Sequence, residues 1–512
     1  MFGGIMKFKI AKGALESFRA DIVVIACFEK ETKKDEKPKP ASLVKEDGGS
    51  AIDKKLKGMV SRLITAEEFT GSEGKTKLIF TAGLIPARYV LLAGLGQKKA
   101  FGVDSLRKIG SAVAKAANDV KAASLGVVFQ RESIGDFGAP TRMQAVVEGM
   151  VLGSYSFDKY KKEESRKKQT LENISFLAAG NKVMFEKSIR AGEAIANATN
   201  LARDLGNTPS LDMTPMILAK MAKDLGSKHR LTVHVMGAKE IKAEKMGAFL
   251  SVARGSTEPP VFIHMQYKPA KKARAKIAIV GKGITFDSGG ISIKPPKGME
   301  QMKDDMAGAA AVIGIMAAAA ELKPQVMIDA FIPACENMPA GNATKPGDVV
   351  RARNGKTIEI ITTDAEGRMI LADALSYAAD KKPDYMIDLA TLTGACVYAV
   401  GERYIAVIGN DQRLVDRLKK SGDRAGEPLW QLPLEKEYKK GLTMSIADLK
   451  NVGSSKADTI NGALFLEEFV GDTKWAHLDI ASTSWTDEER PYAPRGCTGA
   501  GVRVLLNFLM GL

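Results

Sequence analysis

Apolar, β-branched runs at 22–26, 78–81, 89–92 and 125–129 have the length and composition of buried strands. Between and after them, a 3.6-residue periodicity predicts helices at 104–120 and 141–152. Residues 29–40 read as a charged, proline-containing loop, and 160–170 as a polar surface connection. A short strand at 174–177 then leads to a long helix over about 185–205, with Gly206-Asn207-Thr208-Pro209 as its stop signal. Beyond 210 the pattern becomes a regular alternation. Helices are expected at 214–225 and 307–322, and strands at 231–235, 261–265, 276–280, 326–330, 357–361, 385–389 and 405–408.

Such alternation implies an α/β fold with chemistry gathered where strands give way to loops. A chain of 512 residues also exceeds one hydrophobic core. The expected organisation is a smaller N-terminal α/β domain at 1–180 and a larger C-terminal catalytic α/β domain at 181–512. The latter has a central, mostly parallel sheet flanked by helices, and 181–206 forms the linking helix.

Composition narrows the chemistry. A hydrophobic content of 45% and a charged content of 26% describe an ordinary globular protein. No run approaches about 18 uninterrupted apolar residues, which excludes a simple membrane-spanning helix. The N-terminal stretch around Lys7, Lys9 and Lys12 is amphipathic and lacks a signal-peptide core, so a cytoplasmic location is expected. Cys27, Cys335, Cys396 and Cys497 are scattered, against a disulfide framework or a zinc ribbon. With four histidines and no H-E-x-x-H pattern, any metal must be held mainly by oxygen. The net charge is +15, of which residues 1–180 carry +10. A solvated basic face accounts for this excess; nucleic-acid binding is the alternative.

Two stretches carry candidate chemistry. The first is Val280-Gly281-Lys282-Gly283-Ile284-Thr285-Phe286-Asp287-Ser288-Gly289-Gly290-Ile291-Ser292-Ile293-Lys294. Its glycines permit close backbone approach, but it matches neither the P-loop nor the dinucleotide pattern. Gly94-Leu95-Gly96, lacking a third glycine, reads as a structural turn. The second is Thr362-Thr363-Asp364-Ala365-Glu366-Gly367-Arg368, lying between a strand and a helix that begins near Gly367. Asp305 lies between them, at the start of the Ala-rich helix. Asp305, Asp364 and Glu366 each suit helix capping. They also suit convergence with Asp287, which would need cations, because like charges about 4 Å apart repel by roughly 4 kcal/mol per pair. An oxygen-rich cluster of this kind fits one or two divalent ions in a hydrolytic site. Lys294 and Arg368 remain to stabilise an oxyanion or hold a small anion.

These segments, with Met302-Lys303-Asp304-Asp305-Met306-Ala307-Gly308, Glu336-Asn337-Met338-Pro339, Ala390-Thr391-Leu392-Thr393-Gly394-Ala395 and His477-Leu478-Asp479-Ile480-Ala481, resemble the leucyl aminopeptidase family, also called cytosol aminopeptidase or aminopeptidase A. The resemblance covers about 190–510 in the family's order, and Asp287 and Glu366 stand 79 residues apart, as the family spacing requires. It implies an exopeptidase that removes the N-terminal residue, leucine or another apolar one, from peptides with a free amino terminus by a metal-activated water. Two divalent ions, manganese or zinc, are implied. Lys282, Asp287, Asp305 and Glu366 would hold the tight one, and Asp287, Asp364 and Glu366 the exchangeable one. Lys294 would polarise the scissile carbonyl, and Arg368 would hold a bicarbonate acting as general base. Met302, Thr391, Gly394 and Ala481 would form the apolar pocket, although core packing also explains Met302, Thr391 and Ala481. A homohexamer of two stacked trimers is implied as well.

The chain departs from the family pattern at Thr362, usually Asn; at Ser482, usually Gly; and at 458–462, Asp458-Thr459-Ile460-Asn461-Gly462. These positions bear on loop shape and substrate preference. Two other functions compete with the aminopeptidase: a DNA-binding architectural protein, resting on the basic N-terminal third, and a two-metal phosphoesterase, resting on the acids alone.

Overall fold

A computed structural model describes residues 6–31, 39–44, 48–66, 69–129 and 137–512. Most of the charged loop expected at 29–40 lies outside them. The chain forms two compact units, residues 1–197 with 488–494, and 198–487 with 495–512.

Among the described residues, the first unit holds a sheet in the order Lys7–Ala11, Asn173–Ala178, Ser124–Phe129, Ile22–Glu29, Tyr89–Gln97, Thr76–Phe80, with Ser42–Leu43 beside Ile22–Glu29. Its strands run parallel except Thr76–Phe80 and Ser42–Leu43. The amphipathic N-terminal stretch is a strand here. Its Lys-Phe-Lys-Ile alternation has the period of two that a half-exposed strand requires. Helices Val103–Asp119 and Ala139–Gly153 pack closely because Gly149 has no Cβ, which would stand 2.0 Å from the Arg107 carbonyl. Across this contact Arg107 and Glu148 make a buried ion pair at 2.6 Å.

The second unit is built on a sheet in the order Leu429–Gln431, Ile405–Gly409, Trp475–Asp479, Tyr385–Ala390, Lys276–Gly281, Met327–Asn337, Val261–Tyr267, Thr232–Met236. The four central strands are mutually parallel. Gly283–Asp287 continues beside the far end of Met327–Asn337. Helices Ala307–Leu322 and Glu366–Ala379 pack on these central strands. Glycine controls both approaches. A Cβ on Gly308 would meet the Leu389 carbonyl at 2.2 Å, and one on Gly367 would meet Lys282 Nζ at 2.7 Å. Each helix can therefore bring its first turn directly onto the strand ends.

Three expectations change. The strand expected at 357–361 is only Thr357–Glu359, in a small separate sheet with Val349–Arg351 and Leu449–Lys450. The long helix runs Lys182–Asn207, starting earlier than expected and ending inside the stop signal rather than before it; Gly206 lies in its last turn, where a Cβ would meet Cys497 Sγ at 2.5 Å. The division expected near residue 180 falls within this helix, between Asn197 and Ala198. Its first half packs Gly192 against Val147, whereas Arg203 Nε donates to the Thr498 carbonyl at 3.0 Å in the second unit. One stretch among the described residues, Met299–Leu322, is long and apolar enough to cross a bilayer, and its most apolar window is 83% buried in the fold.

Candidate active site

Asp287 ends the strand Gly283–Asp287, in register with Asn337 on the neighbouring strand. Gly289 and Gly290 follow with φ of 88° and 66°, left-handed conformations that let the chain double back to Lys294. The returning loop is fastened to the second motif: Thr363 Oγ1 donates to the Gly289 carbonyl at 2.6 Å and accepts from Ser292 N at 2.8 Å. Glu366 opens the helix Glu366–Ala379 one residue earlier than the apolar pattern indicates. Thus Asp287, Asp364 and Glu366 offer oxygens that all lie within 4.8 Å of one another.

Two lysines knit the acids together. Lys294 Nζ lies 2.8 Å from Asp287 Oδ2 and 2.6 Å from Asp364 Oδ1. Lys282 Nζ lies 2.7 Å from Asp305 Oδ1 and 2.9 Å from Glu366 Oε1, and donates to the Thr391 carbonyl at 2.8 Å. Asp305 therefore joins the cluster through Lys282 rather than by standing among the other three acids.

Four carboxylates and two ammonium groups leave a net negative charge in a largely desolvated place. Burial, and then the Glu366 charge, pushes Asp287 up to about 6. Burial also raises Asp305 and Asp364. Burial would raise Glu366 too, but Lys282 and Lys294 outweigh it and hold Glu366 below its ordinary value. For both lysines burial is outweighed by the surrounding carboxylates, so each is held above its ordinary value. Asp305 Oδ2 and Glu366 Oε2 are buried without a hydrogen-bond partner. Unsatisfied carboxylate oxygens in a negatively charged cluster of hard donors fit divalent cations. Lys282 can join the ligands only by losing the proton that now serves the acids.

The remaining expected residues lie on the helix that Glu366 opens, on the turn before Asp305 and on the loops that follow two strands of the sheet. Arg368 is buried, with Nη1 donating to the Asn451 carbonyl at 2.9 Å and Nη2 lying 3.6 Å from Asp458 Oδ1. Thr391 Oγ1 donates to Asp305 Oδ1 at 2.7 Å. Gly394 precedes the helix Ala395–Val400, and Met302 is half-buried on the 3-10 turn before Asp305. Ala481 N donates to Asp479 Oδ1 at 3.1 Å, and Leu392 N to the same atom at 3.2 Å. Asp479 thus ties the loop at 391–394 to Ala481.

Two features escaped sequence reasoning. Asn337 Nδ2 donates both to Asp287 Oδ1 at 2.8 Å and to the Thr363 carbonyl at 3.0 Å, bridging the two acid-bearing loops. Behind it, a cavity of about 20 Å³, lined partly by Thr363, Glu366 and Asn451, has room for one water. The second is a buried network. His477 Nδ1 lies 2.6 Å from Asp388 Oδ1, and Trp475 Nε1 donates to Asp388 Oδ2 at 2.7 Å. Burial opposes charge on His477, but Asp388 and Asp479 push it up to about 9. The available signal was a polar residue in each of two apolar strands, at positions that pair in register.

Comparison with known proteins agrees with this geometry. Residues 200–506 match the catalytic domain of the cytosol aminopeptidase family, and 24–164 match its N-terminal domain. The chain belongs to the cytosol aminopeptidase family. A probable cytosol aminopeptidase of a Geobacter species is 47% identical over 458 residues, spanning 89% of this chain and 92% of that protein. One from Alkaliphilus oremlandii is 39% identical over 99% of this chain and all of its own length. Among solved structures, a mutant of tomato leucine aminopeptidase matches with a TM-score of 0.89 and 33% identity, over 100% of this chain and 98% of that one. The bottromycin maturation enzyme BotP in complex with Mn matches with a TM-score of 0.83 and 32% identity, over 96% and 99%. This aminopeptidase is accordingly a metal-dependent hydrolase of peptide amino termini.

Proposed function

We propose that the aminopeptidase removes leucine and other apolar residues from peptides with a free amino terminus, using two divalent ions per chain, manganese or zinc. The observation that carries this reading is the convergence of Asp287, Asp364 and Glu366, with Lys282 bringing in Asp305. Lys282, Asp287, Asp305 and Glu366 would hold one ion, and Asp287, Asp364 and Glu366 the other. When bound, such ions polarise a carbonyl and lower the pKa of water towards about 7. Lys294, a flexible ammonium beside Asp287 and Asp364, stabilises the oxyanion that develops on the scissile carbonyl. The acids attract the substrate's cationic amino terminus, which confines cleavage to end residues. Met302, Thr391, Gly394 and Ala481 receive the apolar side chain, the last three on loops tied together by Asp479. We also assign a cytoplasmic homohexamer, on the strength of family membership.

Arg368 would hold a bicarbonate acting as general base: its Nε is buried without a hydrogen-bond partner, and Asp458 Oδ1, 3.6 Å from Nη2, stands beyond hydrogen-bond distance, so donors remain for a small anion.

The test is hydrolysis of leucyl-p-nitroanilide by metal-stripped protein, before and after manganese or zinc is restored. Activity should return with the ion and vanish on substrates with a blocked amino group. Failure to return with any ion would overturn the proposal.

A further inference from the structure

The strands Tyr385–Ala390 and Trp475–Asp479 run parallel and end level, with Ala390 in register with Asp479. The loops that leave them side by side carry Thr391, Gly394 and Ala481. Asp479 is fully buried between them, and both of its oxygens are used. Oδ1 accepts from Leu392 N at 3.2 Å and from Ala481 N at 3.1 Å, while Oδ2 accepts from Thr393 Oγ1 at 2.7 Å. All three partners are donors, which suits a carboxylate better than an amide. His477 Nε2, 4.0 Å from Oδ2, supplies a compensating charge, since Asp388 and Asp479 hold the imidazole protonated. The loop is braced from its other side too. With its own proton committed to Asp479, Thr393 Oγ1 accepts from the Thr459 hydroxyl at 2.9 Å, at the start of the helix Asp458–Glu467. Gly462 lets this helix lie directly on the loop: a Cβ there would stand 3.1 Å from Leu392 Cδ2 and 3.3 Å from Thr393 Cγ2. Thr459 belongs to the stretch 458–462, where the sequence departs from the family pattern.

Building on the function proposed above, we propose that Asp479 is the positioning residue that fixes the spacing of the two pocket loops, with Thr459 as its second anchor, and so sets the preference for a branched apolar first residue over a small one. Neither residue touches the reacting atoms. Each acts through the loops that carry Thr391, Gly394 and Ala481. A substrate whose first side chain fills the space between these loops depends on their spacing. One that begins with glycine places nothing there and does not.

The experiment compares leucyl-, alanyl- and glycyl-p-nitroanilide as substrates of full-length, manganese-loaded protein. Asp479→Asn keeps the shape but replaces charge-assisted hydrogen bonds by neutral ones of about half the strength. Its kcat/KM for the leucyl substrate should fall about tenfold, almost wholly through KM, while that for the glycyl substrate changes less than about twofold. Thr459→Val, which removes only the second anchor, should shift the leucyl-to-glycyl ratio the same way by about two- to fivefold. Thr459→Ser, which keeps the hydroxyl, should retain the wild-type ratio. Bound manganese should match the wild type in every variant. Hydrogen exchange followed by mass spectrometry gives a readout independent of turnover. Peptides spanning 390–396 and 478–484 should exchange about tenfold faster in Asp479→Asn. Equal losses on the leucyl and glycyl substrates, or unchanged exchange in both peptides, would overturn the proposal. If Asp479→Asn did not fold, the two Thr459 variants would decide by the same ratio. If wild-type protein were inactive with every ion, the hydrolase reading would fail, and exchange would still decide whether Asp479 holds the two loops.

Discussion

The two halves of the acid cluster differ in how far they are removed from water. On one side Lys282, Asp305 and Glu366 expose only 3%, 9% and 4% of their side chains. On the other, Lys294 and Asp364 expose 21% and 36%. The same ingredients, an ammonium between carboxylates, are thus arranged once as a closed site and once as an open one. On the proposed function, the closed site would hold its ion behind packed protein, and the open one would exchange its ion and admit the substrate. The asymmetry has a local cause: Gly308 and Gly367 let two helices close over Lys282, whereas the turn through Gly289 and Gly290 carries Lys294 around the rim.

Substitutions can break this comparison or refine it. The largest effect is expected from Glu366→Ala, which removes an acid the account assigns to both halves. Turnover of leucyl-p-nitroanilide should be abolished while circular dichroism stays that of a folded protein. Lys294→Ala, on the open side, should lower kcat by about 10²–10³-fold, as loss of one oxyanion-stabilising group does, with both ions retained. Ion loss measured by elemental analysis would move Lys294 from chemistry to assembly. Asn337→Ala, which frees Asp287 from its amide, should weaken manganese binding by about 10–100-fold in calorimetric titrations. Unchanged affinity would make that amide a packing feature only.

The smallest effect concerns stability. His477 is fully buried and is held protonated by Asp388 and Asp479, pushed up to about 9. Since its folded value lies above its ordinary one, its contribution is complete below about pH 6.5 and is lost as pH rises through about 9. The contribution is about 3 kcal/mol. Urea unfolding midpoints should therefore fall between pH 7 and 10 in the wild type, and His477→Gln should flatten that fall. An equal fall in both proteins would assign the pH dependence elsewhere.

Much of this was legible in residue patterns. The alternation beyond residue 210 declares the parallel sheet, and the Asp-Ala-Glu-Gly-Arg stretch stood out as an acid pair at a strand-to-helix turn, although capping alone also accounts for acids there. Motif resemblance implied that Asp305 shares an ion with Asp287 and Glu366. It did not reveal that Asp305 reaches the others only through the Lys282 ammonium, since that bridge depends on side-chain directions in three dimensions. Asn337 was visible within Glu-Asn-Met-Pro, yet its role depends on the register of two strands. The strand Trp475–Asp479 was hidden by its own polar residues, which a periodicity argument assigns to a surface. His477 is buried because Asp388, on the adjacent strand, meets it, and Asp479 because Thr393 and the amides of Leu392 and Ala481 donate to it.

Manganese titration of metal-stripped wild-type protein, followed by dialysis, tests the unequal pair of sites most directly. The account predicts two ions bound per chain, one lost on dialysis together with most of the activity and one retained. Two ions leaving together, or a single ion sufficing for full activity, would contradict it.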